Sequence, residues 1–262
     1  MTWKALGATA VLCATLVTPA HAAGQVVTRV PEADRTAALE HWTPERMKAV
    51  GEGEVPPAET IGRPYAGTAP AGVGRLFTSS SRGEDRSCSA TVVPSASEDV
   101  VLTAGHCVHG GTDRLDRPIT IGAVVFVPGY DHGAGPVFAA RAFAWPDTYR
   151  GPSSAEDDYA VVALDPVGGR HVRDVAGAQR VSFDEAGSPV GATLLGYPVS
   201  ALNRGEALVE CVRPASLRVN SVMAEWRTDC DLAGGRAVGR GCATSTRRPG
   251  RGRSSRSPAG AR

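Results

Sequence analysis

Val100-Val101-Leu102-Thr103-Ala104-Gly105-His106-Cys107 is the stretch whose reading decides the fold of this chain. Four β-favouring residues give a strand, small residues end it, and a histidine and a cysteine follow at the turn. Two runs of the same character flank it: Cys88-Ser89-Ala90-Thr91-Val92-Val93 before, and Asp158-Tyr159-Ala160-Val161-Val162-Ala163-Leu164 after. An imidazole at the end of one strand and a carboxylate at the start of another can serve acid–base chemistry once a fold brings them together.

Outward from this centre, residues 73 to 226 read as short strands separated by Gly, Pro, Asn and Asp turns, without a helical period. The candidates are Ser89 to Val93, Val100 to Thr103, Ile119 to Val127, Val137 to Ala144, Tyr159 to Leu164, Thr193 to Gly196, Leu208 to Arg213 and Val222 to Thr228. That spacing argues for an all-β barrel or sandwich, and the pattern alone does not choose between them.

The cysteines bear on compartment. Cys88 and Cys107 lie in two apolar runs separated by a turn, and Cys211 and Cys230 are similarly placed in the second half. Each pair could staple adjacent strands; buried free thiols are the alternative. Cys13 precedes the mature region and Cys242 has no evident partner, so the mature cysteine count is odd.

Taken with Phe126-Val127-Pro128-Gly129-Tyr130 and Gly196-Tyr197-Pro198, the His and Asp motifs resemble the trypsin-like (chymotrypsin-fold) serine endopeptidases. The similarity is greatest to secreted bacterial members, near the glutamyl-endopeptidase branch, and runs from about Val73 to Gly235. The resemblance implies an all-β fold of two six-stranded antiparallel barrels, the second incomplete in this chain. It implies that His106 is the general base and that Asp158, rather than its solvated neighbour Asp157, orients the ring and balances the imidazolium. It also implies that a Cys88–Cys107 disulfide holds the His-bearing turn. Protein or peptide substrates, no cofactor, no metal and a monomeric state complete the expectation. Preference for basic or glutamyl residues stays open.

The nucleophile is absent. Cys230-Asp231-Leu232-Ala233-Gly234-Gly235 leads to where such an enzyme carries x-Ser-Gly-Gly-Pro, and the chain reads Arg236-Ala237-Val238-Gly239-Arg240. Ala237 stands at the serine's expected position. Substitution in a noncatalytic pseudoprotease is one reading, and a slipped reading frame is another. Because each residue fixes the first two bases of its codon, with the CGN and TCN families taken for Arg and Ser, the shifted frame has codons with known last two bases. After Gly235 these admit Ser-Ser-Gly-Gly-Pro-Trp-Leu-Arg-Asp-Phe-Asp-Pro-Ala-Thr-Gly at every position. Loss of one base in the codons of Gly234 or Gly235 therefore accounts for the missing serine and for Cys242.

Charge supports the same boundary. From Arg236 onward there are eight of the 28 basic residues and none of the 27 acidic ones, so the preceding part carries a net charge of −7. Residues 236–262 form an aberrant tail rich in Arg, Gly, Ser and Pro, with no apolar periodicity. A polyanion-binding arm would share that composition, but no nucleic-acid motif accompanies it and no specific nucleic-acid partner is expected.

At the other end, Lys4, an apolar stretch from Ala5 to Val17 and Ala20-His21-Ala22 mark residues 1–22 as a secretion signal. The stretch is shorter than the roughly 20 residues of a spanning helix, so no membrane association is expected after cleavage and the protein is expected to be extracellular. Residues 23–71 read as a pro-segment and linker: Leu39, Trp42, Met47 and Val50 recur at helical spacing, and Pro56, Pro57, Pro64 and Pro70 follow. The alternative is an extension packed on the domain. The protease domain is expected over residues 72–235.

Overall fold

Short, largely buried strands close the first half of the chain into a barrel. The computed structural model describes residues 24–50, 62–154, 156–182, 188–200, 202–219, 224–230 and 232. The expected signal peptide, the tail, Ala237 and Cys242 lie outside these residues. In chain order the elements begin with β1 (Gln25–Arg29), α1 (Glu32–His41), α2 (Pro44–Ala49), β2 (Arg63–Pro64), β3 (Val73–Ser80), β4 (Asp85–Val93) and β5 (Val100–Thr103). They continue with β6 (Ile121–Pro128), β7 (Phe138–Pro146), β8 (Ala160–Leu164), α3 (Val172–Ala176), β9 (Val190–Gly196), β10 (Val209–Val219) and β11 (Ala224–Thr228).

Strands β3, β4, β5, β8, β7 and β6 pair in that order, each antiparallel to the next, and β6 returns to β3. Closure removes every free edge from the barrel. Its interior is filled by Leu76, Val92, Val101, Phe126, Phe138, Val162 and Leu164, all fully buried. The second half forms a four-stranded sheet in which β10 is flanked by β9 and β11 and is also paired with β2. The architecture is the chymotrypsin fold: one closed six-stranded antiparallel barrel and a second sheet.

Two elements between Val73 and Trp226 escaped the pattern. Strand β3 carries Gly74 and Arg75 near its start, which hides its apolar character. Both residues have structural causes: a Cβ on Gly74 would lie 2.5 Å from the Phe126 ring of the neighbouring strand, and Arg75 is fully buried. Helix α3 is a single short turn ended by Gly177 at φ 72°, too brief to leave a helical signature.

Arg75 pins the two halves together. Its guanidinium donates to Glu206 Oε1 at 3.0 Å and to Ser87 Oγ at 3.0 Å, and lies over the rings of Phe77 and Tyr130 at 4.7 and 4.9 Å. The Tyr130 hydroxyl donates to the same Glu206 carboxylate. Around this ion pair, Phe77, Val125 and Val127 from the outside of the barrel meet Leu195, Tyr197 and Leu208 from the second half.

Residues 24–50 pack into this same seam. Strand β1 pairs along β7 from Gln25 opposite Pro146 to Arg29 opposite Ala142, and Trp42 and Met47 are buried. The helical period expected across residues 37–50 is broken at Thr43-Pro44, where Pro disfavours helical geometry at the preceding residue. Thr43 instead caps the second helix, its Oγ1 accepting from the Arg46 N–H at 3.2 Å. The break turns Leu39 outward, 46% exposed, and leaves Ala38 inside.

On the second sheet, Leu217 pairs across from Trp226, and Val219 lies two residues further along the same face. All three are exposed, Val219 by 71%. No helix among the described residues is long and apolar enough to cross a membrane.

Removing one partner of the buried pin strands the other. Glu206→Ala should destabilise the protein by about 3–5 kcal/mol in urea unfolding, because Arg75 then keeps its charge without a counter-ion. Replacing both with apolar residues of similar volume should cost much less.

Candidate active site

His106 reaches its place because β5 ends in a barrel wall and the chain turns at once. Val101 and Thr103 are fully buried, and the Thr103 hydroxyl donates to the Ser89 carbonyl at 3.0 Å across the strands. A single 3-10 turn, Gly105–Cys107, then carries His106. The Cys88–Cys107 disulfide, with a Cα separation of 6.2 Å, fastens this turn to β4. The Cys211–Cys230 bridge likewise forms, tying β10 to the segment after β11.

Asp158 lies on the loop that enters β8. Its Oδ2 accepts from His106 Nδ1 at 2.8 Å, and its Oδ1 accepts from the His106 backbone N–H at 2.8 Å. One carboxylate therefore fixes both the ring and the peptide of the same residue. Both side chains are mostly shielded, 16% exposed for His106 and 14% for Asp158. Burial would raise the Asp158 carboxyl, but the hydrogen bonds and charge of His106 outweigh it and hold the carboxyl below its usual range. With Nδ1 donating to an anion, the neutral ring presents Nε2 as an acceptor. That tautomer is the one a general base needs.

Asp157 is exposed, with φ 54°, and accepts from the Thr148 hydroxyl. The carboxylate that grips His106 is that of Asp158, not Asp157.

The sequence reading missed the packing that supports this pair. Tyr149 is buried beside it, and a Cβ on Gly105 would lie 2.9 Å from the Tyr149 ring and 3.1 Å from Asp158 Oδ1. Glycine at 105 lets tyrosine and carboxylate close on the turn. Burial, with the charge of Asp158, pushes the Tyr149 phenol well above its ordinary value. The hydroxyl feels that charge yet makes no hydrogen bond of standard geometry. His109 stands edge-on to both Trp145 and Tyr149, at 5.3 and 5.4 Å, and burial lowers its pKa, favouring the neutral ring. An aromatic-rich loop between a candidate His and a candidate Asp was the available signal.

The second half approaches through Ser89, next to the disulfide. Its Oγ accepts the Tyr197 N–H at 2.8 Å. Beyond Cys230, the Leu232 side chain packs over Gly62 and reaches toward Gly196. The chain beyond Leu232, with Ala237, is outside the described residues. Among the described residues, the ligand atoms of Cys88, His106 and Cys107 gather within 4.8 Å of one another, but the disulfide engages both sulfurs, so they cannot hold a metal as thiolates.

No family model matches the sequence, and no curated protein matches it. Among solved structures it is similar to the protease Anisep from Arthrobacter nicotinovorans, with 27% identity, a TM-score of 0.50 and coverage of 60% of this chain and 69% of that one. A thermostable serine protease, AL20, from an extremophilic microorganism shares 26% identity at a TM-score of 0.49, covering 63% of this chain and 82% of that one. A Glu endopeptidase shares 17% identity at a TM-score of 0.50, covering 69% and 80%. The structure has the trypsin-like (chymotrypsin) fold, shared with the protease Anisep and with the Glu endopeptidase.

The depressed Asp158 pKa carries a stability consequence with a defined sign. A carboxyl held below its unfolded value of about 3.9 contributes stability above that pH and loses it as pH falls through the folded value. The difference in unfolding free energy between the unmodified chain and Asp158→Asn should thus be full near neutrality and shrink in the acid range below about pH 4.

Proposed function

We propose that this chain derives from a secreted serine endopeptidase that hydrolyses peptide bonds by a Ser/His/Asp mechanism, with its nucleophile lost after Gly235. The observation that carries the reading is the double grip of Asp158 on His106, with 2.8 Å to the ring and 2.8 Å to the backbone N–H. That arrangement sets up an imidazole to take a hydroxyl proton through Nε2 and return it to a leaving amine. Protein or peptide substrates follow from the reaction. Export is supported by the signal-like residues 1–22 and by two disulfides.

The intact gene would place the serine at position 237, in a Ser-Ser-Gly-Gly-Pro turn whose backbone N–H groups form the oxyanion hole. The chain as written has Ala237 and no hydroxyl to attack a carbonyl, so it is inactive. A noncatalytic binding role on the same scaffold, with Ala237 a substitution rather than the product of a shifted frame, is the second reading.

Restoring one base in the Gly234/Gly235 codons should give a protein labelled at residue 237 by a fluorophosphonate probe. Asp158→Asn in that protein should lower kcat by about 10⁴-fold, since the ring then loses its correct tautomer. Absence of labelling in a folded, frame-restored protein refutes the protease reading. By contrast, Ala237→Ser alone in the chain as written should stay inactive, because Arg236, Val238 and Arg240 remain in the turn. Peptide hydrolysis by that single variant would overturn the frame hypothesis.

A further inference from the structure

In sequence, residues 23–71 read as a cleavable pro-segment and linker, and the packing of residues 24–50 gives that part a different character. Ala38, Trp42 and Met47 are each 1–2% exposed and lie in one cluster with Phe77, Val125 and Val127 of the barrel and Leu195 and Leu208 of the second half. The segment fills the seam where the two halves meet. Trp42 tilts against Phe77 at 5.2 Å, and Phe77 stands edge-on to Tyr130 at 5.3 Å, the tyrosine that shares Glu206 with Arg75. Apolar contact and buried ion pair thus form one continuous junction.

Polar groups fix the register of the segment. The Trp42 indole N–H donates to the Ala123 carbonyl. Asp85 at the start of β4 receives His41 Nε2 at 3.1 Å and Arg46 Nε at 2.6 Å, both from the N-terminal helices. Asp85 is held below the ordinary carboxylate range despite its partial burial, by hydrogen bonds from Arg46 and His41. Strand β1 adds backbone pairing along β7, continued by the Val30 N–H donating to the Arg141 carbonyl at 2.9 Å. A removable segment that merely covers a site needs none of this. Loss of Trp42 and Met47 would leave a cavity in the junction of the two halves.

We propose that residues 24–50 are a permanent brace, held noncovalently in the seam between the barrel and the second sheet, and that they remain bound after any proteolytic cut between residues 51 and 61. Processing of the connector would then yield a two-piece protein rather than a released pro-segment. The brace holds the second half, which carries the Leu232 segment, in fixed relation to His106. Retention involves no catalytic chemistry, so it stands or falls separately from the protease reading.

The test places a recognition site for a sequence-specific protease between Pro56 and Pro57, cuts the folded full-length protein and follows the fragment by size-exclusion chromatography. The N-terminal piece should co-elute with the remainder under native conditions and separate from it in concentrated urea. With Trp42→Ala and Met47→Ala together, retention should weaken by roughly 100-fold or more. The same cut in the frame-restored protein, whose second half is complete, should give the same retention and guards against a failure of the chain as written to fold. Release of the unmutated fragment from the nicked, frame-restored protein under native conditions overturns the proposal, whether or not that protein labels with a serine-directed probe.

Discussion

Asp158 accepts two hydrogen bonds from one residue, and the position of every other group around the site answers to that constraint. A carboxylate can hold a ring and a peptide N–H of the same histidine only if the histidine sits on a tight turn. The turn in turn requires a rigid anchor on either side. Thr103 supplies one through the Ser89 carbonyl, and the Cys88–Cys107 bridge supplies the other. Tyr149 then closes over the remaining side, where glycine at 105 leaves it room. The result is an imidazole whose tautomer is set by the barrel wall rather than by solvent.

The barrel and this pair were legible because their signals are local. Thr103-Ala104-Gly105-His106-Cys107 is a contiguous motif, and β5 and β8 are short apolar runs rich in valine, bounded by polar or small residues. What escaped notice depends on contacts between residues far apart in sequence. Arg75 reads as a break in a strand until Glu206, 131 residues later, is seen to neutralise it. Leu39 looks like a core residue by spacing, yet the Thr43 cap redirects the helix and Ala38 takes its place. Tyr149 and His109 lie in polar, glycine-containing stretches, where the aromatic enrichment around Trp145 is the one local sign that they pack beside Asp158. Their role exists only after the β7 and β8 loop has folded over the His-bearing turn.

The N-terminal segment shows the same lesson from the opposite side. Its helix formers were readable, but composition could not tell a detachable element from one that completes the core, because both present an amphipathic face. Burial of Trp42 and Met47 between two halves of the fold distinguishes them. A segment that contributes to the seam is part of the folding unit, whatever happens to the connector that follows it.

The second sheet has a consequence apart from the site. Leu217, Val219 and Trp226 project from β10 and β11 into solvent, and β11 terminates the sheet with its outer edge open among the described residues. An apolar face next to an unpaired strand edge promotes self-association. With that face and edge exposed, the amount of chain that escapes association and proteolysis, rather than the reactivity of any one group, sets how much of the fold persists.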